Sequence, residues 1–294
     1  MIPDYQFFSS PGSIPVTSAF IRGFLLRNPL RFRASPSLLF PVFMKSSLRV
    51  FSVALLASAT IAASAKVTEK FAQTYPLDAH GSIRLENVNG SVEIVAWDKA
   101  EVSLEAEKSA KNQDALARMH LKIESTATRL SIKTELEKAW KFWDNANAQV
   151  RYKLMVPAGV SLSKIDVVNA NITVTGVTGA VNLDTVNGSI EATGLSGSGE
   201  FDTVNGSITV AYAALPASIE EISLDTVNGS CTLKLPASAG FRLEADSVNG
   251  RVSCDFPITL EKSGKHDLRG TVGSGGPEIE LDSVNGSLTV AKLD

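Results

Sequence analysis

Acidic residues recur along this chain at a fixed distance from a repeated Asn-Gly pair. The sequence DTVNGS stands at residues 184–189, 202–207 and 225–230, and its Asp lies three positions before its Asn. Carboxylate and carbonyl oxygens in a row are the ligands that a hard cation such as Ca²⁺ accepts. The chemistry that this row could perform is therefore metal binding, with the candidate ligands Asp184, Asp202, Asp225, Asp246 and Asp282.

A structural role explains the same acids without a metal. An Asp beside a turn can accept the backbone N–H two residues on, or remain solvated. The glycine-rich nonapeptide repeats that bind calcium have a different spacing from the units found here. We therefore favour the structural role over a calcium ladder, and we expect neither a cofactor nor a catalytic site.

The Asn-Gly pairs themselves predict turns, because Gly readily takes a positive φ. Their spacing is 18 residues between Asn187 and Asn205, and other intervals are longer. A unit that recurs in this way builds a repeating backbone rather than one active site. The predicted structural turns are Asn89, Gly90, Asn187, Gly188, Asn205, Gly206, Asn228, Gly229, Asn249, Gly250, Asn285 and Gly286.

The residues around each pair alternate between apolar and polar, as Ile190 and Ala192 illustrate. This period of two is typical of short strands with one buried face. The pattern fits an all-β fold, either a β-solenoid or an antiparallel meander joined by Asn-Gly hairpins. We favour the solenoid, because stacked coils give a reason for identical residues at identical places.

The repeat region is predicted to cover residues 158–294, after an antiparallel cap at 66–157. Four alternating segments without the VNG marker predict strands in the cap, at 101–107, 119–125, 129–135 and 150–156. The long final interval between Asn249 and Asn285 predicts a worn repeat at Arg269–Val272. The aromatic residues Trp140, Phe142 and Trp143 are a local candidate for binding or for packing in the cap.

Residues 44–65 have the pattern of a secretory signal peptide. Lys45 and Arg49 precede an apolar run, and Ala63-Ser64-Ala65 resembles a cleavage site. A signal works from the N-terminus, so we expect residues 1–43 to be a spurious extension, with an organelle transit peptide as the alternative. The mature protein would be exported, periplasmic or at the cell surface, without a membrane span.

The composition excludes some functions. The chain has 294 residues, 44% of them hydrophobic, and a net charge of −3, so it lacks the basic balance of a nucleic-acid-binding protein. Its histidines, His80, His120 and His266, show no metal-ligand spacing. Cys231 and Cys254 share the inward parity, and on adjacent coils they would be diagonal neighbours, which slightly favours free thiols over a disulfide.

The recurring VNGS units, LMVPAGVSL at 154–162 and GSGGPEIELDSVNGSLTV at 273–290 resemble a family of exported bacterial β-strand-repeat proteins. That family carries the label putative adhesin and is a domain of unknown function. The likeness covers roughly residues 80–294. It implies a right-handed β-helix-like domain in the envelope or outside the cell, with no established catalytic residues.

These observations predict a non-enzymatic interaction or adhesion module that presents repetitive solenoid faces to a surface protein or a glycan. A periplasmic protein for envelope maintenance or signalling is the alternative. A polysaccharide-processing β-helix enzyme is the weaker rival, since it needs acids gathered at one site, whereas these acids are spread along the chain.

Overall fold

The computed structural model describes residues 66–137 and 148–293. The predictions for residues 1–43, for the signal peptide at 44–65 and for the aromatic group at 140–143 lie outside these ranges. The described residues form one helix, α1 (Gln113–Ala117), and nineteen strands. The strands are β1 (Val67–Pro76), β2 (Ser82–Trp97), β3 (Glu101–Ala110), β4 (Met119–Ser125), β5 (Arg129–Leu136), β6 (Gln149–Pro157), β7 (Ser161–Thr175), β8 (Val181–Asn187), β9 (Ile190–Leu195), β10 (Gly199–Asn205), β11 (Ile208–Tyr212), β12 (Glu221–Asn228), β13 (Cys231–Leu235), β14 (Phe241–Ser247), β15 (Val252–Cys254), β16 (Ile258–Ser263), β17 (Asp267–Val272), β18 (Glu278–Asn285) and β19 (Leu288–Lys292).

The alternation of side chains in each repeat produces a strand with one buried face. In β8, Val181, Leu183 and Thr185 are buried, whereas Asn182 and Asp184 point outward and are partly exposed. The following strand β9 buries the same kind of residues, and the inward residues of both strands belong to one hydrophobic cluster. Burial of apolar surface between the two strands of each coil is thus the driving force of the fold.

The repeats stack in parallel and build a solenoid with two strands per coil. On one side, β8 pairs with β10 and β10 with β12, and on the other side β9 pairs with β11 and β11 with β13. The strands β2 and β7 are long enough to run through both sides. The predicted all-β solenoid is confirmed, and the antiparallel meander is wrong, because the Asn-Gly pairs join the two sides of one coil instead of closing hairpins.

The last coil of the chain, β18 and β19, does not lie at the end of the stack. Strand β18 pairs in parallel with both β12 and β14, and β19 pairs with both β13 and β15. The worn repeat predicted at Arg269–Val272 is wrong, because these residues lie in β17, which is antiparallel to β14 and β16. The long interval between Asn249 and Asn285 thus contains the antiparallel strands β16 and β17 instead of a further repeat.

The region predicted as a cap, 66–157, is only partly antiparallel. Pairs β1–β3, β3–β6 and β4–β5 are antiparallel, and the four strands predicted there are confirmed as β3, β4, β5 and β6. However, β5 and β6 both pair in parallel with β2, which carries the Asn89 unit and stacks on β7. The parallel stack therefore extends well before residue 158.

The repeat glycines owe their place to close packing between coils. A Cβ on Gly206 would overlap the carbonyl oxygen of Gly188 in the neighbouring coil, and one on Gly229 would overlap that of Gly206. The predicted positive φ is found in this set only at Gly90, with φ 135°. For the other repeat glycines the predicted positive φ is wrong. Glycine is required there because the backbone of the neighbouring coil leaves no room for a Cβ atom.

We predict that Gly206→Ala lowers the free energy of unfolding by about 2–3 kcal/mol, because the added methyl forces two coils apart. Chemical denaturation of the purified protein measures this change. Glu191→Ala, on the exposed face of β9, is the control and should cost less than about 0.5 kcal/mol. Equal losses in the two variants would show that the close approach carries no energetic weight.

Candidate functional site

The Asn side chains of the repeats form one continuous hydrogen-bonded ladder along the solenoid. The Nδ2 of Asn187 donates to Oδ1 of Asn169 at 2.8 Å, and Asn205 donates in the same way to Asn187 at 2.9 Å. The ladder ends where Asn89 donates to the backbone carbonyl of Ala148. Its complete order along the stack is Asn249, Asn285, Asn228, Asn205, Asn187, Asn169 and Asn89.

A second ladder of buried hydroxyls lies inside the same corner, and the sequence analysis missed it. Thr203 Oγ1 donates to the carbonyl of Gly188 at 3.0 Å, and Ser283 Oγ donates to that of Gly229 at 3.1 Å. The hydroxyl satisfies a carbonyl that would otherwise be buried without a donor, which is costly. The Thr or Ser that stands two residues before five of the seven Asn residues was the available signal.

The acids of the repeats lie in register on the outer side of the strands. Asp184, Asp202, Asp225 and Asp282 occupy successive paired positions, and Asp246 pairs with Asp282 from the far side. Each lies within a strand, so the Asx-turn interpretation of these acids is wrong. Neighbouring parallel strands are about 4.8 Å apart, and the carboxylates therefore stand in a line at that spacing.

A second column of acids runs beside the first, two residues earlier in the strands. Glu200 stands there in β10 and Glu280 in β18, and Ser223 separates them in β12. Together the two columns form the acidic face, which we define as Asp184, Asp202, Asp225, Asp282, Glu200 and Glu280.

Cations form ion pairs near both ends of these two columns. Near the N-terminal end, Arg84 Nη2 lies 2.8 Å from Glu86 Oε1, and Lys164 Nζ lies 3.2 Å from Asp166 Oδ2. At the opposite end, Arg269 forms an ion pair with Glu244. No ion pair is found for the members of the acidic face among residues 66–137 and 148–293.

The carboxylates of the acidic face, which form no ion pairs, perturb each other, and Lys164 partly opposes the effect at Asp184. Burial, as the largest cause, and the charges of Asp225, Glu200 and Asp184 together raise the pKa of Asp202 to about 7. Burial and the neighbouring acids likewise raise the pKa of Asp282 to about 7. The pKa values of Asp184, Asp225 and Glu280 are also raised, with burial as the largest cause.

Valine side chains form an exposed column next to the acids. Val186 and Val204 follow Asp184 and Asp202 by two residues, and they therefore point to the same outer side of the strands. They are 38% and 40% exposed, and Val88 and Val248 in equivalent units are 44% and 66% exposed. The outer side of this sheet thus presents a negative column and an apolar column side by side.

The calcium candidates do not converge on one point. Among the described residues no group of three or more His, Cys, Asp or Glu side chains has an arrangement that could hold a metal ion. The five acids Asp184, Asp202, Asp225, Asp246 and Asp282 form an extended row instead, so each presents its carboxylate to solvent at a different coil.

Both cysteines are free thiols. The premise that Cys231 and Cys254 lie on adjacent coils is wrong. Cys231 pairs with Leu288 and Cys254 with Val290, so the last coil stands between them. Burial raises the pKa of the Cys231 thiol to about 12, which keeps it protonated and unreactive.

The fold and its corner ladders define a β-solenoid built from VNG repeats. Residues 158–291 match the family model Toastrack DUF4097, a domain of unknown function. The resemblance found in the sequence is thereby confirmed. No curated protein matches the sequence.

Several solved structures are similar to this chain at low sequence identity. A putative cell adhesion protein from Clostridium sporogenes has 10% identity and a TM-score of 0.47, covering 77% of this chain and 100% of its own. A putative adhesin from Bacteroides fragilis has 13% identity and a TM-score of 0.35, covering 76% and 97%. A putative lipid binding protein from Parabacteroides distasonis has 11% identity and a TM-score of 0.26, with the same coverage.

The described part of the chain contains no helix with the length and apolar character needed to cross a membrane.

We predict that the protein is more stable at pH 5 than at pH 8. The folded state holds protons on Asp202 and Asp282 with pKa values near 7, whereas an unfolded Asp has a pKa of about 3.9. The folded state thus binds more protons between about pH 4 and 7, and the free energy of unfolding falls as pH rises through that range. Denaturation at pH 5 and 8 should give a difference of at least about 1 kcal/mol.

Asp202→Asn tests the origin of this dependence. The variant removes one charge from the row, so its free energy of unfolding should exceed that of the wild type at pH 8, and its loss between pH 5 and 8 should be smaller. Glu191→Gln makes the same charge change at an exposed residue of β9 and should leave the difference in unfolding free energy between pH 5 and pH 8 unaltered. A stability that rises from pH 5 to 8, or an equal effect of both variants, would contradict the prediction.

Proposed function

We propose that this protein is an exported, non-enzymatic interaction module that adheres to a basic partner, most simply a surface protein, through its acidic face. The observation that supports this proposal is the uncompensated row of acids at Asp184, Asp202, Asp225 and Asp282. The fold keeps these charges together although they raise each other's pKa values. A row that costs stability and lacks internal cations fits a surface that meets its counter-charges on a partner.

Repetition increases the strength of such contacts. One exposed ion pair contributes only about 0.2–1 kcal/mol, which gives no useful affinity by itself. The solenoid offers several carboxylates at a constant spacing on a rigid sheet, and linked contacts of this kind gain avidity without any new type of interaction.

The valine column adds the apolar part of the contact. Val186 and Val204 are exposed beside the acids. A partner that matches this surface carries basic side chains next to apolar ones, and the apolar contact reduces the dependence of binding on salt. A glycan without cationic groups fits this face less well than a protein does.

Two other roles, envelope maintenance or signalling and polysaccharide processing, would use the acidic face differently. An envelope-maintenance or signalling protein would use it inside the periplasm, and the location therefore separates that role from adhesion. A polysaccharide-processing enzyme would concentrate its catalysis in one or two acids, whereas a row of repeated, equivalent contacts loses affinity in steps as its carboxylates are removed one after another.

We predict that Asp202→Asn/Asp225→Asn weakens binding of a lysine-rich peptide about tenfold at low salt, because two central carboxylates are lost. Calorimetry or anisotropy measures the affinity. The control is Glu105→Gln/Glu191→Gln, which removes the same charge from exposed residues of β3 and β9 and should change the affinity less than twofold.

The free energy of unfolding of each variant shows whether weaker binding results from loss of structure. The Asp variant should be at least as stable as the wild type, because it relieves repulsion, so weaker binding could not be ascribed to unfolding. Equal losses of affinity in the two double variants would mean that net charge alone attracts the peptide, and the acidic face would lose its assigned role.

Location distinguishes adhesion from a periplasmic role. We expect the protein isolated from cells to begin near Lys66, and we expect protease to digest it on intact cells. Mass spectrometry and proteolysis before and after permeabilisation measure both. Protection until the outer barrier is opened would favour the envelope role, and a first residue far from Lys66 would contradict the signal peptide.

A further inference from the structure

The last coil of the chain is inserted into the solenoid between two coils that precede it. In chain order β14 and β15 follow β12 and β13, but β18 and β19 separate these two pairs in space. Residues 221–272 therefore form two walls of a slot, and residues 278–292 fill it.

Hydrogen bonds hold the inserted coil to both walls. On the first wall, Gly229 N donates to the Asn285 carbonyl and Cys231 N to the Ser287 carbonyl, both at 3.1 Å. On the second wall, Leu288 N donates to the Arg251 carbonyl at 2.9 Å. The slot thus accepts one pair of strands, one in each sheet of the solenoid, and each of these strands can pair with both walls.

The inserted coil also completes both corner ladders and the core. Asn285 donates to Asn228 and accepts from Asn249, so it joins the two halves of the Asn ladder. Its side chains Ile279, Leu281, Leu288 and Val290 are almost completely buried. A slot left empty would expose apolar surface and the backbone edges of four strands, which favours occupation by any chain of the same pattern.

The connection into this coil has the features of a hinge. Residues 273–277 read GSGGP, and Gly273 and Gly275 have positive φ values of 60° and 81°. Two backbone hydrogen bonds join the segment to residues outside it: Gly275 N donates to the Val272 carbonyl, and Arg242 N donates to the Pro277 carbonyl. Few interactions would be lost if this segment opened, because glycines adopt many backbone conformations at little cost.

We propose that the last coil, residues 278–292, exchanges between two copies of this chain and so forms a domain-swapped dimer. Every contact of the coil with its slot involves residues before the hinge, and a second copy offers the same residues in the same register. The open dimer and the closed monomer therefore differ only in the hinge and in the entropy of association, which makes the dimer dependent on concentration.

Short flexible linkers hold their ends at an effective concentration in the millimolar range. The closed monomer should consequently dominate at micromolar concentration. Shortening the hinge hinders the return of the coil to its own slot and shifts the balance toward the dimer. This proposal does not depend on the acidic face.

A native cysteine reports the exchange in the full chain. Cys231 lies opposite Leu288, so Leu288→Cys in a Cys254→Ser background places two thiols on facing strands of slot and coil. When the unfolded chain is refolded under oxidising conditions, so that the thiols can pair before Cys231 is buried, the closed monomer gives an internal disulfide and the swapped dimer gives a covalent dimer on a non-reducing gel. We expect the covalent dimer to increase with protein concentration, and deletion of Ser274 and Gly275 to raise it about tenfold.

Two controls secure the result. Cys231→Ser added to the same chain removes the facing thiol, and any dimer that persists is a non-specific link between two copies of the introduced cysteine. Val290→Cys with the native Cys254 tests the other wall of the slot and replaces the first pair if that variant fails to fold. Only internal disulfides at about 200 µM with the shortened hinge would overturn the proposal.

Discussion

The close approach of backbone at the Asn-Gly corner is the constraint on which this solenoid depends. The carbonyl of one repeat glycine lies where the Cβ of the next would be, so only glycine permits the spacing between coils. That spacing then places the Asn amides within hydrogen-bond distance and sets the buried hydroxyl of Thr203 against the Gly188 carbonyl. One steric requirement thus determines the sequence DTVNG at three of its five positions.

The same stacking forces like charges together on the outer side of the sheet. Asn residues profit from a neighbour of their own kind, because an amide is both donor and acceptor. A carboxylate only accepts, so the neighbouring carboxylates raise the pKa of Asp202, and the hydrogen bond that Asp225 receives comes from Ser223 in its own strand. Aspartate and the exposed valine are therefore the two members of the repeat that the fold itself does not require, and this contrast is what points to an external partner.

The sequence was sufficient to predict the strands, the solenoid and the corner, because period-two alternation and a repeated pair depend on local physics. It was insufficient for the order of the coils. Units with the same residues at the same positions stack in the same register, so β12 can receive β14 or β18 equally well by pattern alone. The role of the glycines was also out of reach, since an oxygen of another coil supplies the constraint. The acidic row could be predicted, but its burial and its lack of counter-ions could not.

Regular spacing determines how such a face binds. Carboxylates about 4.8 Å apart act on a cationic partner as a continuous line, because the spacing is shorter than the screening length of about 8 Å at physiological salt. A partner displaced by one coil then meets nearly the same electrostatic potential. Charge therefore attracts the partner without fixing its position along the solenoid. Specificity must come from features that interrupt the line, namely the exposed valines and the neutralised ends at Lys164 and Arg269. The length of the acidic face that can bind a cationic partner is therefore limited by the positions of the protein's own cations at its two ends.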